Sequence, residues 1–284
     1  MFIWDFIAEK IFDQITDWIH AQIVSFLGEF FGMINNMGAE LFDFVWVQAI
    51  VIFFNHLAWA MFTVGLILAV FETAIAYQNG QGNVGNTLLN ILKGFIATSL
   101  ITTLPIELFK FAISMQTSLS VSIAGLSNNT GTIGELATSS IGFVGTLSVS
   151  VIFSIFLLIA LGYAVIKVFF SNLKRGGILL TQIAVGSLYM LSVPRGFTDG
   201  FLGWCKQIVA LCLTTFLQSV FLVAGLMVFK DNLLLGVGLM MSANEIPRIA
   251  DQFGLDTSTR GNMMGTIYAT QSALNIVKSI TTKA

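Results

Sequence analysis

The residues able to carry proton, metal or nucleophilic chemistry are few and scattered. His20 and His56 lie far apart in the chain, and the two cysteines, Cys205 and Cys212, are seven positions apart. At that spacing on one helix the two thiols share a face and point the same way. They suit neither a mutual disulfide nor a complete metal site, and they read as structural thiols. The sequence contains no HExxH, no cysteine pair at metal-ligand spacing and no glycine-rich loop ending in Gly-Lys-Ser/Thr. An ATPase is therefore excluded, and no metal or cofactor is expected. An enzyme would need a convergent set of acids, histidines or nucleophiles, which this chain lacks, so the expectation is a protein without catalytic activity.

Polar residues set into apolar surroundings are the remaining candidates. His56 stands beside Asn55 and near Trp59 in an uncharged run, and an ionisable group at membrane depth is a functional candidate by default. It has no acidic partner in its own run, which leaves a hydrogen-bonded packing role and a proton relay both open. The segment TTLPIELFK, Thr102 to Lys110, is the sharper cluster. Pro105 removes a backbone donor and predicts a kink, while Glu107 and Lys110 fall three apart on one helical face. Glu107, Lys110, Pro105 and His56 are candidates for a polar lumen or a subunit contact. The alternative for Glu107 and Lys110 is an ordinary ion pair at a helix end.

The elements that position these groups are membrane helices. From Ala49 to Phe71 the chain has no charged residue, long enough to cross a bilayer core of about 30 Å as a helix. Hydrophobic residues make up 56% and charged residues 10% of the chain, with a mean hydropathy of +0.86, outside the range of a soluble domain. The predicted fold is an all-α polytopic transmembrane bundle of about five spans: 49–71, 88–115, 141–170, 178–193 and 208–229. The stretch 233–241, interrupted by Gly236 and Gly238, is too short to span and reads as interfacial or re-entrant. Trp46 and Trp204 fall near span ends, as an interfacial aromatic belt predicts. Gln116 to Ser140, rich in Ser, Thr, Asn and Gly and without a basic residue, reads as an exterior loop or flexible linker.

Residues 1–48 form a separate segment. Apolar residues recur at Trp4, Ile7, Ile11, Ile15 and Trp18, with Asp5, Glu9, Asp13 and Asp17 four apart on another sector, the pattern of an amphipathic helix. Seven acids face only Lys10 there, the wrong sign for an anionic leaflet. The four carboxylates are candidate outer docking residues for a protein partner; a helix packed onto the bundle with a solvated acidic face is the alternative. Gly28 and Gly32 have the spacing that permits close helix approach, and Gly142, Gly145, Gly162, Gly186 and Gly225 are further small-residue positions. The amino terminus lacks a basic region and a small-residue cleavage site, so no removable signal peptide is expected.

Lysine and arginine set the expected orientation. With the N-terminus outside, inner segments hold Lys93, Lys167, Lys174, Arg175, Lys230, Arg248, Arg260, Lys278 and Lys283, against Lys10, Lys110, Arg195 and Lys206 outside. Lys167, Lys174 and Arg175 act as topology determinants in this reading, with Lys174–Gly177 a tight cytoplasmic turn; membrane lipids are expected partners, and binding of a lipid headgroup or a protein partner is the alternative role for the basic pair. Residues 242–284 form a short cytoplasmic tail of mixed charge with short helical patterns, suited to docking on a protein.

Three stretches carry a family resemblance: GAELFDFVWVQAIV entering the first span, KGFIATSLITTLPIELFK in the second and ANEIPRIADQFGLDTSTR in the tail. They resemble the TrbL-like conjugal transfer proteins of Gram-positive mobile elements, and the likeness extends over most of the chain. That resemblance implies a polytopic component of a type IV secretion system, N-out and C-in in the cell membrane. It implies a homo-oligomer at the base of the translocation channel, working with ATPases supplied in trans and touching transferred DNA or protein only transiently. The rival readings are a secondary transporter, for which no internal repeat is visible, and a pore-forming or scaffold protein unrelated to conjugation.

Overall fold

The computed structural model describes residues 14, 18, 21–29, 33, 38–126, 133–142 and 151–252. Among them every regular element is helical, as the apolar runs require, because a membrane helix satisfies its backbone internally. After a helical segment at 21–29 and a 3-10 turn at Glu40–Asp43 come α1 (Val45–Gln78), α2 (Val84–Leu100), α3 (Thr103–Leu126) and α4 (Ile133–Gly142). Then follow α5 (Val151–Tyr189), α6 (Asp199–Asp231), α7 (Leu233–Ser242) and α8 (Ile246–Gln252).

Local chemistry sets the ends. Gly80 takes a left-handed φ of 74° just after α1, and the Asn83 side chain caps α2 by accepting the Asn86 N–H at 3.1 Å. Asn232 does the same for α7, accepting from Leu235 N–H at 3.1 Å. The kink expected at Pro105 is present: α2 and α3 meet at a 52° bend, with Pro105 in the first turn of α3, where its missing N–H has no intrahelical acceptor to lose.

Among the described residues three helices, α1, α5 from Phe153 and α6, are long and apolar enough to cross a membrane, or four if the bent α2–α3 pair is one crossing. Five were expected, and α5 accounts for much of the difference. It is one unbroken helix of 39 residues, about 58 Å long, passing straight through Lys174–Gly177. The turn expected there does not form. A side chain at Gly176 would meet the Gly38 carbonyl at 3.1 Å, so this glycine admits the 38–41 backbone against α5 while keeping helical geometry. The segment Gln116–Ser140 is likewise largely helical where described, with α3 continuing to Leu126 and α4 beginning at Ile133.

Two apolar clusters fill the interior. One joins Leu158, Leu161 and Val165 of α5 to Leu222, Leu226 and Phe229 of α6, Met240 of α7, and Leu27 and Ile141. The other joins Leu179, Ile183 and Met190 of α5 to Ile208 and Leu211 of α6, Phe62 of α1, Ile101, and Phe109 of α3. Small residues allow the closest approaches. A methyl group on Gly65 would collide with the Leu191 carbonyl, and one on Gly225 would lie 2.9 Å from the Gly236 carbonyl, where α7 doubles back on α6. The segment expected to be interfacial or re-entrant, 233–241, is thus a helix folded onto its predecessor. Phe53, Phe71, Leu88, Leu92, Phe111, Phe156 and Ile159 point outward, an apolar surface suited to lipid or neighbouring subunits.

Candidate functional site: a polar layer inside the bundle

Where the two apolar clusters meet, α5 and α6 turn polar residues toward each other. On α5 these are Asn172 and Arg175, three apart on one face; on α6 they are Thr214, Thr215, Gln218 and Ser219. All six are buried, and Arg175 has no exposed surface at all. Its Nη1–H donates to Asn172 Oδ1 at 2.7 Å, and Asn172 Nδ2–H reaches Ser219 Oγ at 3.5 Å, the limit of a hydrogen bond. The threonine hydroxyls donate back to their own helix, Thr214 to the Ala210 carbonyl at 2.8 Å and Thr215 to the Leu211 carbonyl at 2.7 Å. Arg175 Nε and Nη2 and Gln218 Oε1 have no hydrogen-bond partner among the described residues. A buried guanidinium with no paired carboxylate among the described residues is expensive, which sets Arg175 apart from the other basic side chains of the helix.

Two ion pairs sit at other levels of the bundle. Arg195, in the turn after the C-terminal end of α5, donates from Nε to Glu72 Oε1 of α1 at 3.0 Å. This hydrogen bond holds the guanidinium above its ordinary range, so its positive charge persists at any physiological pH. Lys110 of α3 pairs with Asp43 Oδ1 at 2.9 Å.

The structure distributes the sequence-derived candidates rather than gathering them. Lys110 is bonded to Asp43, 67 positions away, and Glu107 is exposed beside it without forming the expected local pair in the described salt bridges. Pro105 is buried at the bend. His56 is exposed on α1, with its Nδ1–H donating to the Ile52 carbonyl at 2.8 Å. Lys167 and Lys174 lie on the exposed side of α5, whereas Arg175 points inward, so the basic pair splits between surface and core. Asp5, Glu9, Asp13 and Asp17 lie outside the described residues, as does the tail beyond residue 252. Trp204 is a correction: it is buried, with its indole N–H donating to the Gln182 carbonyl at 2.7 Å, and does not belong to an interfacial belt. Cys205 is half-buried and Cys212 buried, both as free thiols. Asn172, Gln218 and the Glu72–Arg195 pair went unread in the sequence. The signal for the first was its i, i+3 spacing to Arg175 between apolar flanks, and for Glu72 its standing alone as the acid of a long apolar helix.

Known families supply the remaining observation: residues 1–284 match the family described as conjugal transfer protein TrbL. The chain belongs to the TrbL family. No curated protein and no solved structure matches it. The TrbL match spans the whole chain, so the exposed apolar helices, the bend at Pro105 and the polar layer are all features of a membrane-embedded conjugal transfer protein.

Proposed function

We propose that this TrbL-family chain is a non-enzymatic channel or scaffold subunit of a conjugative type IV secretion system. It works as a homo-oligomer in the cytoplasmic membrane and helps DNA or protein substrates to cross. The full-length family match carries this reading. The outward apolar surface and close-packed glycine contacts support it, since a ring subunit needs lipid-facing helices and small residues at helix crossings. The energy for transport comes from ATPases in trans. The exposed His56 and Glu107 are subunit-contact residues in this proposal, and Asp5, Glu9, Asp13 and Asp17 dock an outer partner.

The basic residues Lys167, Lys174, Lys230 and Arg248 favour the cytoplasmic side for the ends of α6 and α8. The same distribution of basic residues favours an N-terminus outside and a C-terminus in the cytoplasm. Mild extraction followed by crosslinking and native mass measurement tests the assembly. A defined ring of copies that co-purifies with a secretion ATPase is expected; a strict monomer without partners contradicts the proposal.

A further inference from the structure

Beside the polar layer, the outer face of α5 and the α7–α8 corner line an open-sided cavity of about 570 Å³. Lys167, Lys174 and Arg248 line it together with one acid, Glu245, which accepts from Arg248 Nε at 2.7 Å. Two positive charges therefore remain in excess. Two residues of its lining each carry a buried polar atom without a partner among the described residues: the amide donor Asn244 Nδ2 and the acceptor Gln218 Oε1, whose residue is only 2% exposed. Left bare, each such atom carries a desolvation cost that a bound polar group would relieve.

The chemistry asked of an occupant is specific. Cations and an amide N–H call for an anion with several oxygens, and the buried carbonyl of Gln218 calls for a hydroxyl or N–H on the same molecule. Phe170, half exposed on the same wall, adds an apolar contact. From Val151 to Ile166 α5 carries no charge, and Lys167 is the first, so the cavity opens where an apolar run ends. Basic pockets between membrane helices at such levels take lipid headgroups.

We propose that this cavity binds a phosphodiester headgroup bearing a hydroxyl, the chemistry of phosphatidylglycerol. Lys167, Lys174, Arg248 and Asn244 Nδ2 receive the phosphate oxygens, Gln218 Oε1 accepts from the headgroup hydroxyl, and the acyl chains lie along Phe170 and the outer face of α5. The inference stands apart from the role in conjugation, because it depends only on these residues and a bilayer.

The test uses the full-length protein, delipidated in mild detergent and reloaded with lipids of matched chains, with retention read by native mass spectrometry. Phosphatidylglycerol should be retained over phosphatidylcholine by about tenfold or more, since each basic side chain near a membrane surface contributes about fivefold. The double variant K174Q/R248Q should reduce that preference to within about twofold, and Lys93→Gln on the exposed face of α2 should leave it unchanged. Phosphatidylmethanol has the same charge without the hydroxyl. The wild type should favour phosphatidylglycerol over it by about fivefold, and Gln218→Leu should bind the two alike. Equal retention of phosphatidylglycerol and phosphatidylcholine by the wild type overturns the proposal, as does undiminished preference in K174Q/R248Q. If glycerol phosphate or inorganic phosphate displaces the bound lipid at comparable concentration, the ligand is a soluble phosphate and the lipid assignment fails.

Discussion

Replacing Arg175 with methionine separates the stability of the polar layer from its use. The guanidinium has no exposed surface, and two of its nitrogens, Nε and Nη2, lack partners among the described residues. Each buried donor left unmade costs about 1–3 kcal/mol, so removing both relieves about 2–6 kcal/mol. Against this, Asn172 Oδ1 loses the donor it holds at 2.7 Å, a cost of about 1–3 kcal/mol. The aliphatic stem is replaced by a side chain of similar length, so little packing is lost. The balance favours R175M by about 2 kcal/mol, in line with buried charges exchanged for apolar residues elsewhere. Tryptophan fluorescence during SDS-induced unfolding of the purified protein would measure it. The expected result is a midpoint equal to or above that of the wild type, together with a fall in conjugal transfer of at least about tenfold, because the charge serves function at the expense of stability. A loss of more than about 2 kcal/mol in R175M would refute the reasoning, since the guanidinium would then have to be fully satisfied in the folded protein.

Gly65→Leu should destabilise the protein by about 1–3 kcal/mol or more, because its Cβ collides with the Leu191 backbone, whereas Gly238→Ala, with open space at the Cβ, should be neutral or slightly stabilising; thermal unfolding in detergent compares them. Trp204→Phe keeps the ring packing but gives up the bond to the Gln182 carbonyl and should cost about 1 kcal/mol in the same assay. Asn83→Ala removes the cap of α2 and should cost about 1 kcal/mol, with hydrogen exchange rising first in the opening turn of that helix. The raised affinity of Arg195 for its proton contributes stability that is present below its unfolded pKa and lost only in strong alkali. Unfolding curves across the physiological pH range should therefore show no step that Arg195→Gln removes.

Much of the architecture was legible because it rests on local composition. The uncharged run 49–71 lies within α1, the run 208–229 within α6, and Pro105 marks the bend between α2 and α3. What was misread depended on contacts between distant parts of the chain. The Gly176–Gly177 pair carries the signature of a turn, yet α5 continues because Gly176 is needed where the Gly38 backbone packs. The Ser- and Thr-rich stretch after Gln116 resembles a loop, but where α3 runs through it hydroxyls bond back to their own helix, Thr117 donating to the Ile113 carbonyl and Ser122 to the Ser118 carbonyl. Lys110 finds Asp43 rather than the adjacent Glu107, a choice fixed by how α3 meets the 40–43 turn. Arg175 reads as a surface charge beside Lys174, and only the helical phase of α5 turns one outward and the other into the core.

Membership of the TrbL family makes transfer itself the most direct test of function. Donor cells carrying an in-frame deletion of this gene, with and without a copy in trans, should be mated and transfer frequency scored alongside relaxase nicking of the mobile element. Loss of transfer that the copy restores, with nicking intact, is the predicted result; transfer at the wild-type frequency in the deletion strain would contradict a role in the translocation machinery.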